Sequence, residues 1–277
     1  MTGSPRHILI TGASGGIGAE AAAALAGRDT RLTLVARNPE RLKALADRLA
    51  PQAAAIKTIA ADLTATGAAV SIVAQAVAAW GPIDVLVNCS GVNDFRRFAD
   101  AAPATIEKLI ATNFLAPVLL TRAALPQMLA RRSGRIVNVG SVMGGVGFAG
   151  FSVYCGTKFG LRGFSEALHR ELKGSGVSVA YVAPRYTRTA LNSAATDRMA
   201  KAVGMNTDEP KTAAKLIAAA VNGGKPEHTM GVMERLLIRV NAVLPRFVDS
   251  SLASLNRRML DHVENPESGG EILERRT

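Results

Sequence analysis

The sequence predicts an α/β fold: one doubly wound parallel sheet with helices on both faces, followed by a C-terminal amphipathic helical extension. Three observations predict it. Short apolar runs alternate with segments of helical period through the first two thirds of the chain. These runs are apolar nearly throughout rather than at every second position, as in strands buried on both faces. A glycine-rich turn, Thr11-Gly12-Ala13-Ser14-Gly15-Gly16-Ile17-Gly18, joins the first apolar run to the first helical segment.

The elements follow in order. HILIT at 7–11 is a first buried strand, and the Ala-rich stretch 16–27 a first helix. Residues 32–36 form a second strand and 39–49 a second helix. Residues 55–60 form a third strand, with a helix running on to Ala79. IDVLV at 83–87 is a fourth strand. A long helical stretch covers about 104–131, bent or divided by Pro117 and Pro126. RIVNV at 135–139 is a fifth strand, 152–173 a helix and 177–182 a sixth strand. Ligands in such sheets bind beyond the carboxyl ends of the strands. Gly12 to Gly18, Asn88, Ser141 and Pro184 each fall just after a strand, so they predict one composite site.

Composition narrows the class. The 277 residues are 48% hydrophobic and 20% charged, enough for a substantial core. The two cysteines, Cys89 and Cys155, belong to no metal-type cluster, and no metal site is expected. Their scarcity points to a reducing, cytoplasmic compartment. Residues 1–7 have no apolar signal core, and no spanning helix is expected. The net charge of +11 is open to three readings: solubility, a polyanionic partner, or an anionic membrane surface. No nucleic-acid motif is present and aromatics are only 4%, so no nucleic-acid partner is expected.

Gly12, Gly16 and Gly18 suit a tight turn that lets a pyrophosphate approach backbone N–H groups at a helix N-terminus. The second strand discriminates between cofactors. An acid there would hold ribose hydroxyls, but the strand ends Val35-Ala36-Arg37-Asn38. Arg37 can pair with a 2′-phosphate through a charge-assisted fork, and Ser14 can donate to the same group. The expected cofactor is NADP(H). Asp62-Leu63 suits the adenine edge, although an Asp there is also a good helix N-cap.

The chemistry centres on Tyr154 and Lys158. Four apart on a helix, they share one face. A phenol ordinarily titrates near ~10, and a neighbouring ammonium lowers that value. The pair therefore predicts a phenol tuned downward for acid/base work, with Ser141 thirteen residues upstream. His169 and Cys155, on the same helix, have no evident partner and are read as structural.

With these residues in place, the chain resembles the short-chain dehydrogenase/reductase family. The resemblance runs from about His7 to Thr189. It rests on the ordered set of the glycine turn, Asp62, Asn88-Cys89-Ser90-Gly91, Asn113, Ser141, Tyr154/Lys158, and Pro184 with Thr189. It implies a single Rossmann-like domain, NAD(P) binding, a Ser-Tyr-Lys mechanism, a dimer or tetramer, and a small-molecule carbonyl or alcohol substrate. It further implies that Ile17, Asn88, Gly91, Pro184, Thr187 and Thr189 join the cofactor site. Tyr154 would be the proton donor to a carbonyl, and the base in oxidation. Ser141 would hydrogen-bond that oxygen, Lys158 would hold ribose hydroxyls, and Asn113 would organise a water. Two departures stand out. The family's Asn-Asn-Ala-Gly is Asn-Cys-Ser-Gly here. Its Pro-Gly after the sixth strand is Pro184-Arg185, with Arg185 expected to point outward.

The reading is a reductase of a hydrophobic ketone or 3-oxoacyl compound, or equivalently an alcohol dehydrogenase. A catalytically silent dinucleotide-binding or scaffolding protein on the same fold is the alternative. The intact Asn113, Ser141, Tyr154 and Lys158 argue against it. An oxidative NAD-linked enzyme is a third reading, against which Ala36-Arg37 argues.

Residues 1–231 are expected to form the catalytic domain, with a lid at about 185–206 in which Leu191, Met199 and Met205 meet substrate. A helix is expected over 207–221. In the extension, 232–277, an amphipathic helix is predicted over 233–244. Met233, Leu236, Leu237, Val240, Val243 and Leu244 share its apolar side, and Glu234, Arg235, Arg239 and Asn241 its polar side, with Ile238 the exception. After Pro245, Val248, Leu252, Leu255 and Met259 continue the spacing. Residues 232–260 either make peripheral contact with a membrane interface or pack on their own domain or a second subunit. Residues 264–277 are polar and expected to fray.

Overall fold

Seven parallel strands lie in the order β3-β2-β1-β4-β5-β6-β7. They are β1 (Arg6–Thr11), β2 (Thr30–Ala36), β3 (Ala55–Ala60), β4 (Val85–Asn88), β5 (Gly134–Val139), β6 (Val177–Ala183) and β7 (Glu227–Thr229). This computed structural model describes residues 5–263. The expectation for 264–277, and part of that for the N-terminus, lies outside the described residues.

The apolar runs explain the layers. In β1, Ile8 and Ile10 face one side of the sheet and Leu9 the other, and Val85/Val87 and Leu86 of β4 divide the same way. One face is covered by α1 (Gly16–Leu25), α2 (Pro39–Leu49) and α8 (Pro210–Asn222). The other is covered by α3 (Ala68–Trp80), α5 (Ala116–Ala130) and α6 (Ser152–Glu171). The strand order reverses direction between β1 and β4, where Ile10 pairs with Val87, and such a switch point is where a parallel sheet opens a crevice.

Four features differ from the sequence expectation or refine it. β7 has only three residues, Glu-His-Thr, and no apolar run announced it. The helical stretch before β5 is not broken at Pro117. It runs as α4 (Pro103–Ile110), a π-helical turn over Ala111–Leu115, and α5. The Ala116 N–H reaches back to the Ala111 carbonyl across that turn, and Pro117 sits in the next turn, with no N–H to offer the carbonyl of Asn113. The whole run, 103–130, is long and apolar enough to cross a membrane. Here Leu109, Asn113, Leu120, Ala124 and Met128 are buried within the protein.

The extension shows the largest reversal. It forms α9 (Val232–Val243) and α10 (Pro245–Leu260). Ile238, the exception on the wheel, is the buried residue of α9. It packs with Val146 and Val248. The inner side of α9 also carries Glu234 and Asn241, so most of the expected apolar side faces out. The cause is polar: Asn241 Nδ2 donates to the Gly145 carbonyl at 3.0 Å and Glu234 accepts from Arg185 at 3.2 Å. Met259 of α10 is buried with Phe151 and Met199, the latter on α7 (Ala194–Ala202).

Two glycines of the first turn are sterically obligatory. Gly12 has φ +67°, and a Cβ there would lie 2.8 Å from Ser90 Cα. A Cβ on Gly18 would lie 2.1 Å from the Gly12 carbonyl oxygen. Both clashes are with backbone, which cannot swing aside. Gly18→Ala is therefore expected to cost about 2 kcal/mol or more, read as a lower urea midpoint at unchanged m-value.

Candidate active site

The site is assembled from strand ends that the sheet brings to one edge. At the end of β1, the Thr11 hydroxyl accepts from the N–H groups of Cys89 and Ser90 at 3.1 and 3.4 Å. This bond ties the glycine turn to the loop after β4. The N-cap of α1 is Gly15, which brings no capping side chain to the helix. Thr189 packs against this end of α1: a Cβ on Gly16 would lie 2.9 Å from its methyl carbon. Ser14 is half-buried in the turn, and Arg37 is exposed at the end of β2. Asn38 caps α2, accepting from the Arg41 N–H at 2.7 Å.

Asp62 holds its own turn. Its Oδ1 accepts from both the N–H and the hydroxyl of Thr64, at 2.9 and 2.8 Å. These bonds, and then the charges of Arg37 and Lys108, hold its pKa below the ordinary value. Leu63 packs on the core beneath. Asn88 lies in the interior: its amide donates to Asn138 Oδ1 at 2.8 Å, Thr121 Oγ1 at 3.3 Å and the Pro117 carbonyl at 3.4 Å. It joins β4, β5 and α5, and so is placed as a brace behind the site. Its Oδ1 has no partner among the described residues.

Gly91 stands over the two residues expected to act together. A Cβ on it would lie 3.5 Å from Asn113 Oδ1 and 3.8 Å from Lys158 Nζ. Asn113 is fully buried in the π-helical turn, accepts from the Val92 N–H at 2.8 Å and donates to the Val92 carbonyl at 2.9 Å. Lys158 is buried with Nζ donating to the Val139 carbonyl at 3.2 Å and standing 5.7 Å from the centroid of the Tyr154 ring. Ser141 follows β5. Its Oγ accepts from the Met143 N–H at 3.1 Å and is hydrogen-bonded to Tyr154. Ser141 and Tyr154 thus share one apolar cavity of about 330 Å³, with Phe148, Phe151, Leu191 and Met205 in its wall.

A model described as short chain dehydrogenase matches residues 6–200. The chain belongs to the short-chain dehydrogenase/reductase family. It is 35% identical over 253 residues to the ketoacyl reductase HetN of Nostoc sp., covering 88% of this chain and 87% of that protein. It is 35% identical over 188 residues to a 3-ketodihydrosphingosine reductase of Bos taurus, covering 66% of this chain and 57% of that protein. A solved short-chain dehydrogenase from Sphingobium yanoikuyae in complex with NADPH is similar with a TM-score of 0.73 and 30% identity, over 88% of this chain and 96% of that one.

In this short-chain dehydrogenase the electrostatics of the pair run against the sequence expectation. Tyr154 is not tuned downward. Burial pushes it up to about 12, with the Ser141 hydrogen bond opposing in part. Burial pulls Lys158 down to about 8. Burial, not the neighbouring ammonium, is thus the leading influence on the phenol.

Three further placements differ from or extend the sequence reading. Arg185 is not turned outward. It forks onto Asp208 with two bonds of 2.8 Å and reaches Glu234 at 3.2 Å, on the cavity wall. Thr187 is buried and donates to the Arg185 carbonyl at 3.0 Å, while Pro184 accepts from the Val142 N–H at 3.0 Å. Of the expected substrate contacts, Leu191 and Met205 line the cavity, whereas Met199 packs in the core beneath. Cys155 is buried in that same cluster and His169 is exposed on α6.

Sequence reasoning missed Tyr181, whose hydroxyl receives from the Ser141 N–H at 3.1 Å and donates to the Ser141 carbonyl at 3.0 Å. It fixes the Ser141 backbone from β6. The signal was present in Gly140 and Gly144, where any Cβ would strike this ring within 2.2 Å. It also missed Asn138, which passes the Asn88 bond to Ser165 at 2.9 Å. The cavity residues Phe148 and Phe151 carry no motif.

The Lys158 shift has a testable sign. A folded value of about 8, below the ordinary 10.5, means that the unfolded chain binds the proton more tightly. Its contribution to stability is present at high pH and is lost as pH falls toward 8. Between pH 10 and 8 the wild type should lose unfolding free energy relative to Lys158→Met, measured by denaturant titration at each pH.

Proposed function

We propose that this chain is an NADPH-dependent reductase of a hydrophobic ketone or 3-oxoacyl compound. The carrying observation is that Ser141 and Tyr154 stand together at the wall of one apolar cavity, beside the buried Lys158. At neutral pH a phenol held near 12 is fully protonated, as a general acid must be before it acts.

The glycine turn fits a dinucleotide. Gly12, Gly16 and Gly18 leave no room for side chains, so backbone can approach a pyrophosphate at the N-terminus of α1. In this reading Arg37 and Ser14 hold the 2′-phosphate, Asp62 and Leu63 the adenine edge, and Lys158 the ribose hydroxyls. Pro184, Thr187 and Thr189 close the nicotinamide end. NADPH bound there supplies a hydride.

Ser141 Oγ donates to the substrate carbonyl oxygen and stabilises its developing charge, while Tyr154 gives up its proton to that oxygen. Asn113 holds the loop above Lys158, and its carbonyl, denied the Pro117 N–H, is proposed to organise a water that restores the proton. Residues 185–206 act as the lid, with Arg185 tying it to Asp208 and Glu234. Apolar side chains exposed on α4–α6, Ile110, Leu115, Leu119 and Phe159, support self-association as a dimer or tetramer. The reductases of ketoacyl and ketosphingosine type among its relatives support a long apolar ketone.

Two outcomes are expected. With NADPH and ketones ordered by chain length, turnover should rise with apolar length, and Tyr154→Phe should lower kcat by about 10²–10⁴-fold; unchanged turnover refutes the acid role. Removing a charge-assisted bond costs about 1.5–3 kcal/mol, so Arg37→Ala should weaken NADPH roughly 10–100-fold while leaving NADH nearly unaffected, as read by fluorescence titration.

A further inference from the structure

We infer that the outer side of α9 and the start of α10 form a docking face for an anionic lipid bilayer. The apolar side of α9 is divided: Leu237 and Val240 pack inward with Ile238, while the rest faces out. Its inner side spends its polar groups on its own domain, Glu234 on Arg185 and Asn241 on the Gly145 carbonyl, and buries Ile238. Its outer side leaves Val232 71%, Met233 70%, Leu236 52% and Val243 76% exposed. The tip between the helices adds Leu244 at 57% and Phe247 at 65%. Leaving this much apolar surface in water is unfavourable, and a contiguous patch of this kind marks an interaction site.

Charge chooses the occupant. Val232, Leu236 and Val243 fall within about 40° of one another around the helix axis. Arg239 and Arg235 border this stripe on one side, and Arg246 stands at the tip; all three are exposed. Among the described residues none of the three forms an ion pair. The acid of α9, Glu234, is turned inward. The acid of α10, Asp249, lies about 160° round that helix from Phe247. Among the described residues of α9 and the start of α10, the face therefore offers apolar side chains and cations and no carboxylate. A second copy docked by two-fold symmetry would set arginines against arginines. A bilayer with anionic headgroups satisfies both parts, since the apolar side chains enter the acyl boundary while the arginines reach phosphates. The net charge of +11 adds to the same attraction.

The position gives the face a use. α9 and α10 also supply Glu234, Leu237 and Leu255 to the cavity wall, so a docked molecule holds its cavity beside the lipid phase. A water-insoluble ketone then has a short route to Tyr154. That consequence rests on the reductase reading; the docking itself does not, and its test uses no substrate.

The test is flotation of the full chain with vesicles of phosphatidylcholine alone or with about a third phosphatidylglycerol. The wild type should float with the anionic vesicles, less so as salt rises, and only weakly with the neutral ones. Val243→Glu with Phe247→Glu should weaken binding at least tenfold. Arg235→Gln with Arg239→Gln and Arg246→Gln should weaken anionic binding roughly a hundredfold, at about fivefold per arginine. These side chains are exposed and outside the cavity, so thermal midpoint and NADPH affinity should stay at wild-type values, which separates lost docking from lost folding. Absence of wild-type flotation overturns the inference, as does equal flotation of the double glutamate variant. A fall in molar mass of that variant by light scattering, with no vesicle binding by the wild type, overturns it in favour of a second copy of this chain.

Discussion

The site depends on one close approach, that of the glycine turn to the loop after β4. Backbone meets backbone there: Gly12 lies so near Ser90 that no side chain fits between them. The Thr11 hydroxyl closes the seam by accepting two N–H groups from the opposite loop. This contact exists because β1 and β4 are neighbours although three helices and two strands separate them in the chain. Everything functional is referred to it. Gly91, three residues past Asn88, stands over Asn113 and Lys158. Lys158 in turn holds the carbonyl of Val139, two residues before Ser141. The positions of Ser141, Lys158 and the glycine turn are thus set by one continuous path of short contacts.

Within that frame, burial rather than mutual attraction sets the charges. Tyr154 and Lys158 move in opposite directions, each toward its neutral form. Desolvation acts on both, and it disfavours the charged form of each: the phenolate of Tyr154 and the ammonium of Lys158. The reading of the pair as a downward-tuned phenol took the Coulomb interaction alone. It identified the right two residues on the right helix face and the wrong sign for the phenol, because spacing on a helix gives proximity and says nothing of depth.

The same limit explains what the sequence made legible. Strands announced by continuous apolar runs, such as 135–139 and 177–182, lie within one residue of the expected bounds, since burial on two faces leaves little freedom in pattern, and the helix at 39–49 has the expected bounds. β7 has three polar residues and exists because β6 offers an edge. Pro117 was read as a bend or a division, and the π-helical turn ahead of it keeps the helical run continuous. Arg185 was expected in solvent, but two acids from distant segments, Asp208 and Glu234, draw it inward. The β7 and Arg185 misses come from partners remote in sequence, and the Pro117 miss from a local turn type that no residue pattern announces.

Arg185 shows how such a remote partnership joins levels of the molecule. The family pattern has glycine at this position. Here a guanidinium grips the chain entering α8 through Asp208, and α9 through Glu234. A bidentate fork at 2.8 Å is geometrically selective, and with a quarter of its side chain exposed it is partly shielded from solvent. Its consequence for α9 is rotational. With Glu234 held inward by Arg185 and Asn241 held inward by Gly145, the helix turns Leu237, Ile238 and Val240 to its own domain and leaves Val232, Met233, Leu236 and Val243 outside. The outer character of α9 is therefore dictated from the cavity wall, by a residue two positions beyond β6. A substitution at the edge of the active site and an apolar surface on the far side of a helix are two ends of one constraint.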